Sequence, residues 1–259
     1  MRMELFSIGP FTIYSYGLMI AVGILVCIAM GMYRAKKRSM SDDAVLTIAI
    51  IGILSGFIGA KLLYVIVEFD QFIEDPMSVM GGEGFVVYGG IIVGVLSAIL
   101  YCRQKKLVFL DYFDLLVPSI AVAQGFGRIG CFLAGCCYGR ETDSFLGVVF
   151  PEHSMAPSGV KLLPTQLFSS AGDFLIMAIL LLYSRKKRER GRTGALYMIL
   201  YGIGRFLIEF LRADDRGTVG SLSTSQFISN GIVAEGLILF FSSKIFHREE
   251  KTITTGPEE

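Results

Sequence analysis

Long apolar segments of about the length that crosses a membrane dominate this chain. A helix needs about 20 mainly apolar residues to span the hydrocarbon core of a bilayer. Seven segments meet that requirement approximately: 12–33, 45–67, 85–102, 113–137, 166–184, 195–211 and 226–246. Hydrophobic residues make up 53% of the 259 residues and charged residues only 18%, which is typical of polytopic membrane proteins. The sequence therefore predicts an all-α protein with seven transmembrane helices.

Positive charge is concentrated in the connections that follow the odd-numbered segments. Basic clusters occur at 34–38, 103–106, 185–192 and 244–251. The connection at 68–83 is acidic instead. Because cytoplasmic loops are enriched in Lys and Arg, the pattern predicts an external N-terminus and a cytoplasmic C-terminus. We expect a single membrane domain over 1–259 that ends in a polar cytoplasmic tail at 245–259.

The predicted orientation places the polar residues of five segments in one layer near the outer surface. These residues are Tyr16, Lys61, Tyr88 to Gly90, Arg128, Cys131, Cys136, Cys137, Tyr201, Arg205, Glu209 and Arg212. Such a layer predicts a cavity that opens towards the outer leaflet. The net charge of +1 provides no general basic field, so we expect no nucleic-acid partner.

The charged residues inside the segments indicate either an anion site or a structural stripe. An ionised group in the hydrocarbon costs roughly 2.5 to 3.5 kcal/mol on insertion scales, which favours a functional role. Tyr201, Arg205, Glu209 and Arg212 follow one another at helical spacing and could form a self-neutralised face. Arg128, however, has no carboxylate on its own predicted helix face. Because guanidinium suits phosphate, the excess of arginine favours a phospholipid headgroup as the ligand.

Three of the five cysteines lie in the segment GRIGCFLAGCCYG at 127–139. They could be small packing residues, a redox pair of Cys131 with Cys136 or Cys137, or a nucleophile that carries lipid. A metal site is the least favoured alternative because no paired C-x-x-C elements are present. We expect neither a metal nor a cofactor.

Five motifs carry a resemblance to a known family. They are SYGLM (15–19), YGGIIVG (88–94), GRIGCFLAGCCYGR (127–140), LPTQLF (163–168) and YGIGRFLIEFLR (201–212). In order and approximate spacing, the chain resembles the bacterial prolipoprotein diacylglyceryl transferases over nearly its whole length. The resemblance implies a multi-pass enzyme of the bacterial inner membrane with its active site open to the outer leaflet. It also implies transfer of diacylglyceryl from phosphatidylglycerol to the lipobox cysteine of preprolipoprotein signal peptides, which releases glycerol 1-phosphate.

The resemblance also assigns roles to residues. Arg128 falls on the arginine that binds the phosphatidylglycerol phosphate, and Arg205 on the arginine of the penultimate span. The candidate catalytic residues are Arg128, Arg205 and Tyr201, which match the family, together with Tyr88, which stands at a position where the chain departs from it. The substrate-binding residues implied by the resemblance are Arg128, Tyr16, Lys61, Gly89, Gly90, Glu209 and Arg212.

The chain departs from the family pattern at several positions. Tyr88 stands where the family has a histidine, and Cys131 and Cys136 replace an asparagine and an acidic residue. Lys61 stands in place of an arginine and Ser169 in place of a glutamate. Tyr88 could take part in proton transfer or be an interfacial anchor. These departures leave two alternatives open: a phospholipid-dependent transferase with another acceptor, and a membrane thiol oxidoreductase or lipid-binding protein.

Overall fold

The chain divides by its internal contacts into two compact units. The computed structural model describes residues 4–8, 11–82, 84–214 and 217–254. Unit 1 comprises Met1–Met30 and Phe113–Glu259, and unit 2 comprises Gly31–Tyr112.

Helices make up most of the described chain. They are α1 (Ser15–Lys37), α2 (Asp42–Val67), α3 (Phe69–Glu74), α4 (Pro76–Gly81), α5 (Val87–Gln104), α6 (Phe109–Ala134), α7 (Thr165–Tyr183), α8 (Arg192–Glu209) and α9 (Thr224–Thr254). Antiparallel pairing joins β1 (Glu4–Ile8) to β2 (Phe11–Tyr14), β3 (Val148–Val149) to β4 (Lys161–Leu162), and β5 (Thr218–Val219) to β6 (Leu222–Ser223). The chain is mainly helical, in agreement with the helical part of the all-α prediction, but that prediction did not include these three short hairpins.

Six helices in the described ranges are long and apolar enough to cross a membrane. They are α1, α2, α5, α6, α7 and the part of α9 from Thr224 to Ser242. The predicted segment 195–211 corresponds to α8, which has 18 residues but contains Arg192, Arg205 and Glu209. These charges lower its apolar character, so the seventh crossing stays a prediction. The orientation of the chain in the membrane also stays a prediction. Helix α9 continues into the predicted tail as far as Thr254, and residues 255–259 lie outside the described residues.

Helix α6 ends earlier than the sequence predicted. The predicted segment extended to residue 137, but the helix ends at Ala134. Gly135 has φ +77° and Cys137 has φ 63°, and left-handed residues of this kind end an α-helix. Cys136 and Cys137 therefore lie on a loop beyond the helix, and the prediction that placed them on it was wrong.

In unit 2, glycines allow α2 and α5 to approach closely. A Cβ atom on Gly59 would lie 2.5 Å from the carbonyl oxygen of Gly89, and one on Gly90 would lie 2.7 Å from the carbonyl oxygen of Gly56. Side chains cannot be accommodated at such separations, so only glycine permits this contact between backbones. The structure thus gives Gly89 and Gly90 a packing role, and their predicted contact with substrate stays a prediction.

In unit 1, α6, α7 and α8 share an apolar core. Val117 and Ala121 of α6 pack with Ile176 and Leu180 of α7, and Leu200 of α8 packs against this cluster. Two polar contacts fix the helices further. The Ser170 hydroxyl donates to the Gly125 carbonyl at 2.9 Å, and the buried Asp114 carboxylate accepts from backbone N–H groups at the start of α8. This arrangement holds the charged residues of the three helices around one cavity.

Candidate active site

A cavity of ≈ 120 Å³ lies in unit 1 where α6, α7 and α8 meet. Its lining residues are Arg128, Phe168, Ser169, Gly172, Asp173, Ile176, Tyr201, Gly204, Arg205 and Ile208. Three of the residues predicted to be functional, Arg128, Tyr201 and Arg205, thus come together. The lining thus combines two guanidinium groups with one carboxylate, and ionisable groups in a spanning region indicate a functional site.

Arg205 is held in place by two neighbours. Its Nη1 atom lies 2.8 Å from Oε2 of Glu209, one helical turn along α8, and its Nη2 donates to the Ser225 hydroxyl at 2.8 Å. Both side chains of the ion pair are largely buried, with 11% and 7% exposed. The helical spacing of Arg205 and Glu209 predicted that they lie on one face of the helix, and in the structure they form a direct ion pair.

Arg128 differs from Arg205 because its guanidinium lines the cavity without a direct partner. Among the residues that the structure describes, it forms no hydrogen bond and no ion pair. Asp173 of α7 lines the same cavity and interacts electrostatically with Arg128, although the two side chains do not form an ion pair. The expectation from the sequence concerned only the helix face of Arg128 itself, whereas Asp173 comes from another helix. The guanidinium nevertheless keeps its donors available to a ligand.

Arg212 does not continue the helical face of Arg205 and Glu209. Helix α8 ends at Glu209, and Arg212 follows a tight turn. Its Nε and Nη2 atoms donate to the two carboxylate oxygens of Asp214 at 2.8 and 2.7 Å. The predicted four-residue stripe was therefore wrong at its last member. Arg212 instead pairs with Gly139 in a β-bridge, which brings it beside the cysteine loop.

The two tyrosines predicted in unit 1 occupy different positions. Tyr201 lines the cavity and stacks on Tyr197, with ring centroids 5.7 Å apart. The Tyr197 hydroxyl donates to Gln124 of α6 at 2.8 Å, which steadies the stack. Tyr16, at the start of α1, packs against Gly130 of α6 and is 43% exposed. Tyr201 thus contributes to the cavity wall, whereas Tyr16 lies beside α6.

The three clustered cysteines lie together where α6 ends. Their sulfur atoms all lie within 4.8 Å of one another, and none of the three forms a disulfide. Helix α7 anchors the loop: the Thr165 hydroxyl donates to the Cys137 carbonyl at 2.8 Å, and Gln166 Nε2 donates to the Cys136 carbonyl at 2.7 Å. Hydrogen bonds with Cys131 and Cys136 lower the pKa of the Cys137 thiol, and Arg212 and Arg128 act in the same direction against the effect of burial.

The remaining predicted site residues belong to unit 2. Lys61 of α2 donates to the carbonyls of Gly82 and Gly84 at 2.8 and 3.3 Å. Its Nζ atom also lies 4.9 Å from the ring centroid of Phe85. Lys61 thus holds the connection that leads into α5, and Tyr88 is half-buried in the first turn of that helix.

Sequence reasoning missed Asp173, the carboxylate of the cavity. A signal was present, because Asp173 is the single acidic residue in the apolar run of α7. An ionisable residue within a spanning helix is a functional candidate by default. Gln166 was also not selected, although it is buried and forms a hydrogen bond with the cysteine loop.

Comparison with known proteins agrees with the resemblance. The chain matches the family described as Prolipoprotein diacylglyceryl transferase over residues 3–242. It is 49% identical over 241 residues to the phosphatidylglycerol–prolipoprotein diacylglyceryl transferase of Clostridium tetani, an alignment that covers 93% of this chain and 97% of the relative. It is 47% identical over 252 residues to the protein named phosphatidylglycerol–prolipoprotein diacylglyceryl transferase 2 of Clostridium perfringens, with 96% and 98% covered. The relative from Finegoldia magna is 34% identical over 251 residues, with 95% and 98% covered.

Proposed function

This chain belongs to the prolipoprotein diacylglyceryl transferase family, and we propose that it transfers diacylglyceryl from phosphatidylglycerol to a preprolipoprotein. The acceptor is the thiol of the lipobox cysteine, and the second product is glycerol 1-phosphate. The relatives' names support both substrates of this reaction. They favour it over a different acceptor and over thiol oxidoreduction.

The observation that best supports this proposal is that the Arg128 guanidinium lines the cavity without an ion pair or hydrogen bond in the described chain. Its guanidinium forms no ion pair or hydrogen bond within the described chain, whereas Arg205 is held in an ion pair with Glu209. A planar fork of donors matches the oxygens of a phosphodiester. Arg128 therefore binds the phosphate of the donor lipid, and Arg205 supplies a fixed second positive group.

The reaction exchanges one bond at a glycerol carbon of the diacylglyceryl group. The acceptor sulfur forms a bond to the carbon that carries the phosphate, and the bond from that carbon to oxygen breaks. Glycerol 1-phosphate leaves with the electron pair. Negative charge grows on the departing phosphate, so preorganised guanidinium groups stabilise the transition state more than the bound donor.

The acceptor thiol must also lose its proton before or during attack. Asp173 is the carboxylate that lines the cavity without a direct ion pair to Arg128. A carboxylate in reach of a reacting thiol can accept its proton. We therefore propose that Asp173 accepts the proton of the acceptor thiol. Tyr88, for which the sequence suggested a role in proton transfer, is the alternative acceptor.

The membrane arrangement that we propose has seven crossings in a single transferase domain. Helix α8 is the seventh, because 18 residues at about 1.5 Å each approach the thickness of the hydrocarbon core. Its internal Arg205–Glu209 pair offsets part of the cost of burying charge. With the basic connections in the cytoplasm, the N-terminus is outside and the active site opens to the outer leaflet of the bacterial inner membrane.

Transfer between purified components tests the proposed function. The full chain in phosphatidylglycerol-containing nanodiscs is mixed with a lipobox peptide, and the thioether product and free glycerol phosphate are both measured. We expect equal amounts of the two products. A matched peptide with serine in place of the lipobox cysteine should remain unmodified. Glycerol phosphate release without peptide modification would contradict the proposed acceptor.

A further inference from the structure

The thiols of Cys131, Cys136 and Cys137 lie close together at the end of α6. Cys131 lies in the last turn of α6, whereas Cys136 and Cys137 follow the helix on a loop. The left-handed conformations of Gly135 and Cys137 turn the chain back towards Cys131. The three sulfur atoms consequently lie within 4.8 Å of one another.

This convergence suits a single thiophilic metal ion. At a Zn–S distance of about 2.3 Å, the sulfur atoms of a tetrahedral site are roughly 3.8 Å apart. The three sulfurs therefore need only small side-chain adjustments to bind one ion. A disulfide needs only two of these thiols, and a bridge between the adjacent Cys136 and Cys137 would be strained.

The backbone around the cluster is fixed by contacts outside it. Thr165 and Gln166 at the start of α7 donate hydrogen bonds to the carbonyls of Cys137 and Cys136. Gln166 is only 1% exposed, and its side-chain oxygen has no hydrogen-bond partner in the described chain. A positive φ at Cys137, a residue that is not glycine, costs free energy and persists only where the surroundings hold it. The loop is thus preorganised, as a metal site requires.

The electrostatic surroundings also favour bound thiolates. Three thiolates around a divalent cation carry a net charge of −1, which is costly in an apolar environment without compensation. Arg128 and Arg212 both interact electrostatically with Cys137. The donor set and its positive neighbours therefore fit a soft cation.

We propose that Cys131, Cys136 and Cys137 bind one thiophilic metal ion of the Zn²⁺ class. Binding converts three thiols to thiolates and releases three protons to solvent. Three protein ligands leave one position of a tetrahedral ion for a solvent molecule. The ion fastens the loop after α6 to the helix that carries Arg128. This site is independent of the proposed transfer reaction.

Metal titration of the reduced full chain tests the site. The protein is purified in detergent under anaerobic reducing conditions, and Zn²⁺ is titrated against a chromophoric chelator. We expect one equivalent to bind, and Cd²⁺ to produce the charge-transfer absorption of thiolate ligands. Bound Zn²⁺ should protect three of the five thiols from alkylation.

Variants separate the cluster from the other thiols. Cys131→Ala and, independently, Cys136→Ser should each weaken Zn²⁺ binding by at least about 100-fold, more than the loss of an outer-shell partner. Cys27→Ala and Cys102→Ala are the matched controls, because these thiols lie outside the cluster, and both should bind as the wild type does. Size-exclusion profiles identify any variant that fails to fold.

Two results would overturn the proposal. One is a failed titration, in which either the wild-type chain with five reduced thiols binds no stoichiometric Zn²⁺ or binding survives both cluster substitutions. The other is a disulfide within the cluster that is present in the protein as isolated from cells and persists under mild reduction.

Discussion

Arg128 and Arg205 line the same cavity but differ in their contacts with the protein. Glu209 and Ser225 fix the position of Arg205, because its guanidinium forms an ion pair with the first and a hydrogen bond with the second. Arg128 keeps its donors for a ligand, and its electrostatic neighbour Asp173 is not in direct contact with it. At the scale of single residues, the cavity thus combines one fixed arginine, one available arginine and one carboxylate.

Asp173→Asn tests the role of the cavity carboxylate. An amide has nearly the same shape but is a far weaker proton acceptor, so we expect kcat to fall by about 100-fold to 10,000-fold with little change in the KM for phosphatidylglycerol. Steady-state transfer kinetics measure both values. If Asp173 only balances the charge of Arg128, the KM will change instead and kcat will be largely kept, which would contradict proton transfer by this residue.

Close approach of backbones determines how α2 and α5 pack in unit 2. Gly89→Ala adds a Cβ atom that would overlap the carbonyl oxygen of Gly59. We expect this overpacking to destabilise the fold by about 1 to 3 kcal/mol, seen as a lower Tm in a thermal unfolding assay in detergent. Gly52→Ala on α2 is the control, because its Cβ would meet no atom within 4 Å among the described residues. Equal Tm values for the two variants would show that the helices do not pack as closely as described.

The start of α8 depends on a carboxylate from another helix. Asp114 accepts hydrogen bonds at 2.7 Å from the N–H groups of Gly191 and Gly194. Asp114→Ala leaves these buried donors without their acceptor, which costs about 1 to 3 kcal/mol. We expect a lower Tm and faster proteolysis at the connection before α8. The exposed Asp143 offers a comparison, and Asp143→Ala should behave as the wild type; a wild-type Tm for Asp114→Ala would exclude the capping role.

Elements determined by local sequence could be predicted, whereas contacts across the fold could not. Length and apolar character located each of the six candidate spans, because these properties are local to each segment. The end of α6 was misplaced because Cys137 adopts a positive φ that its residue type does not predict. The cap by Asp114 and the approach of Asp173 to Arg128 join separate helices, so no spacing in the sequence reveals them. Arg128 and Arg205 could be identified from the sequence because a charged residue within an apolar segment is recognisable without knowledge of its contacts.

At the scale of the whole molecule, the number of crossings decides on which side the connections lie. If α8 spans the membrane, the connection at 185–190 is cytoplasmic and the exposed turn at Ser221 is external. Short epitope tags inserted after Lys187 and Ser221 can be probed in intact spheroplasts with an impermeant reagent. We expect labelling only of the tag at Ser221. Labelling of both tags, or of neither, would place the two connections on one side and contradict a seventh crossing.

Binding of the donor phosphate by Arg128 is the central step of the proposed mechanism. The measurement is transfer of labelled diacylglyceryl from phosphatidylglycerol to a lipobox peptide by the wild type, Arg128→Ala and Arg140→Ala. Arg140 is an exposed arginine outside the cavity, so its loss controls for the removal of a positive charge. We expect Arg128→Ala to lose at least about 100-fold in kcat/KM and Arg140→Ala to keep the wild-type value. Undiminished transfer by a folded Arg128→Ala variant would contradict the account.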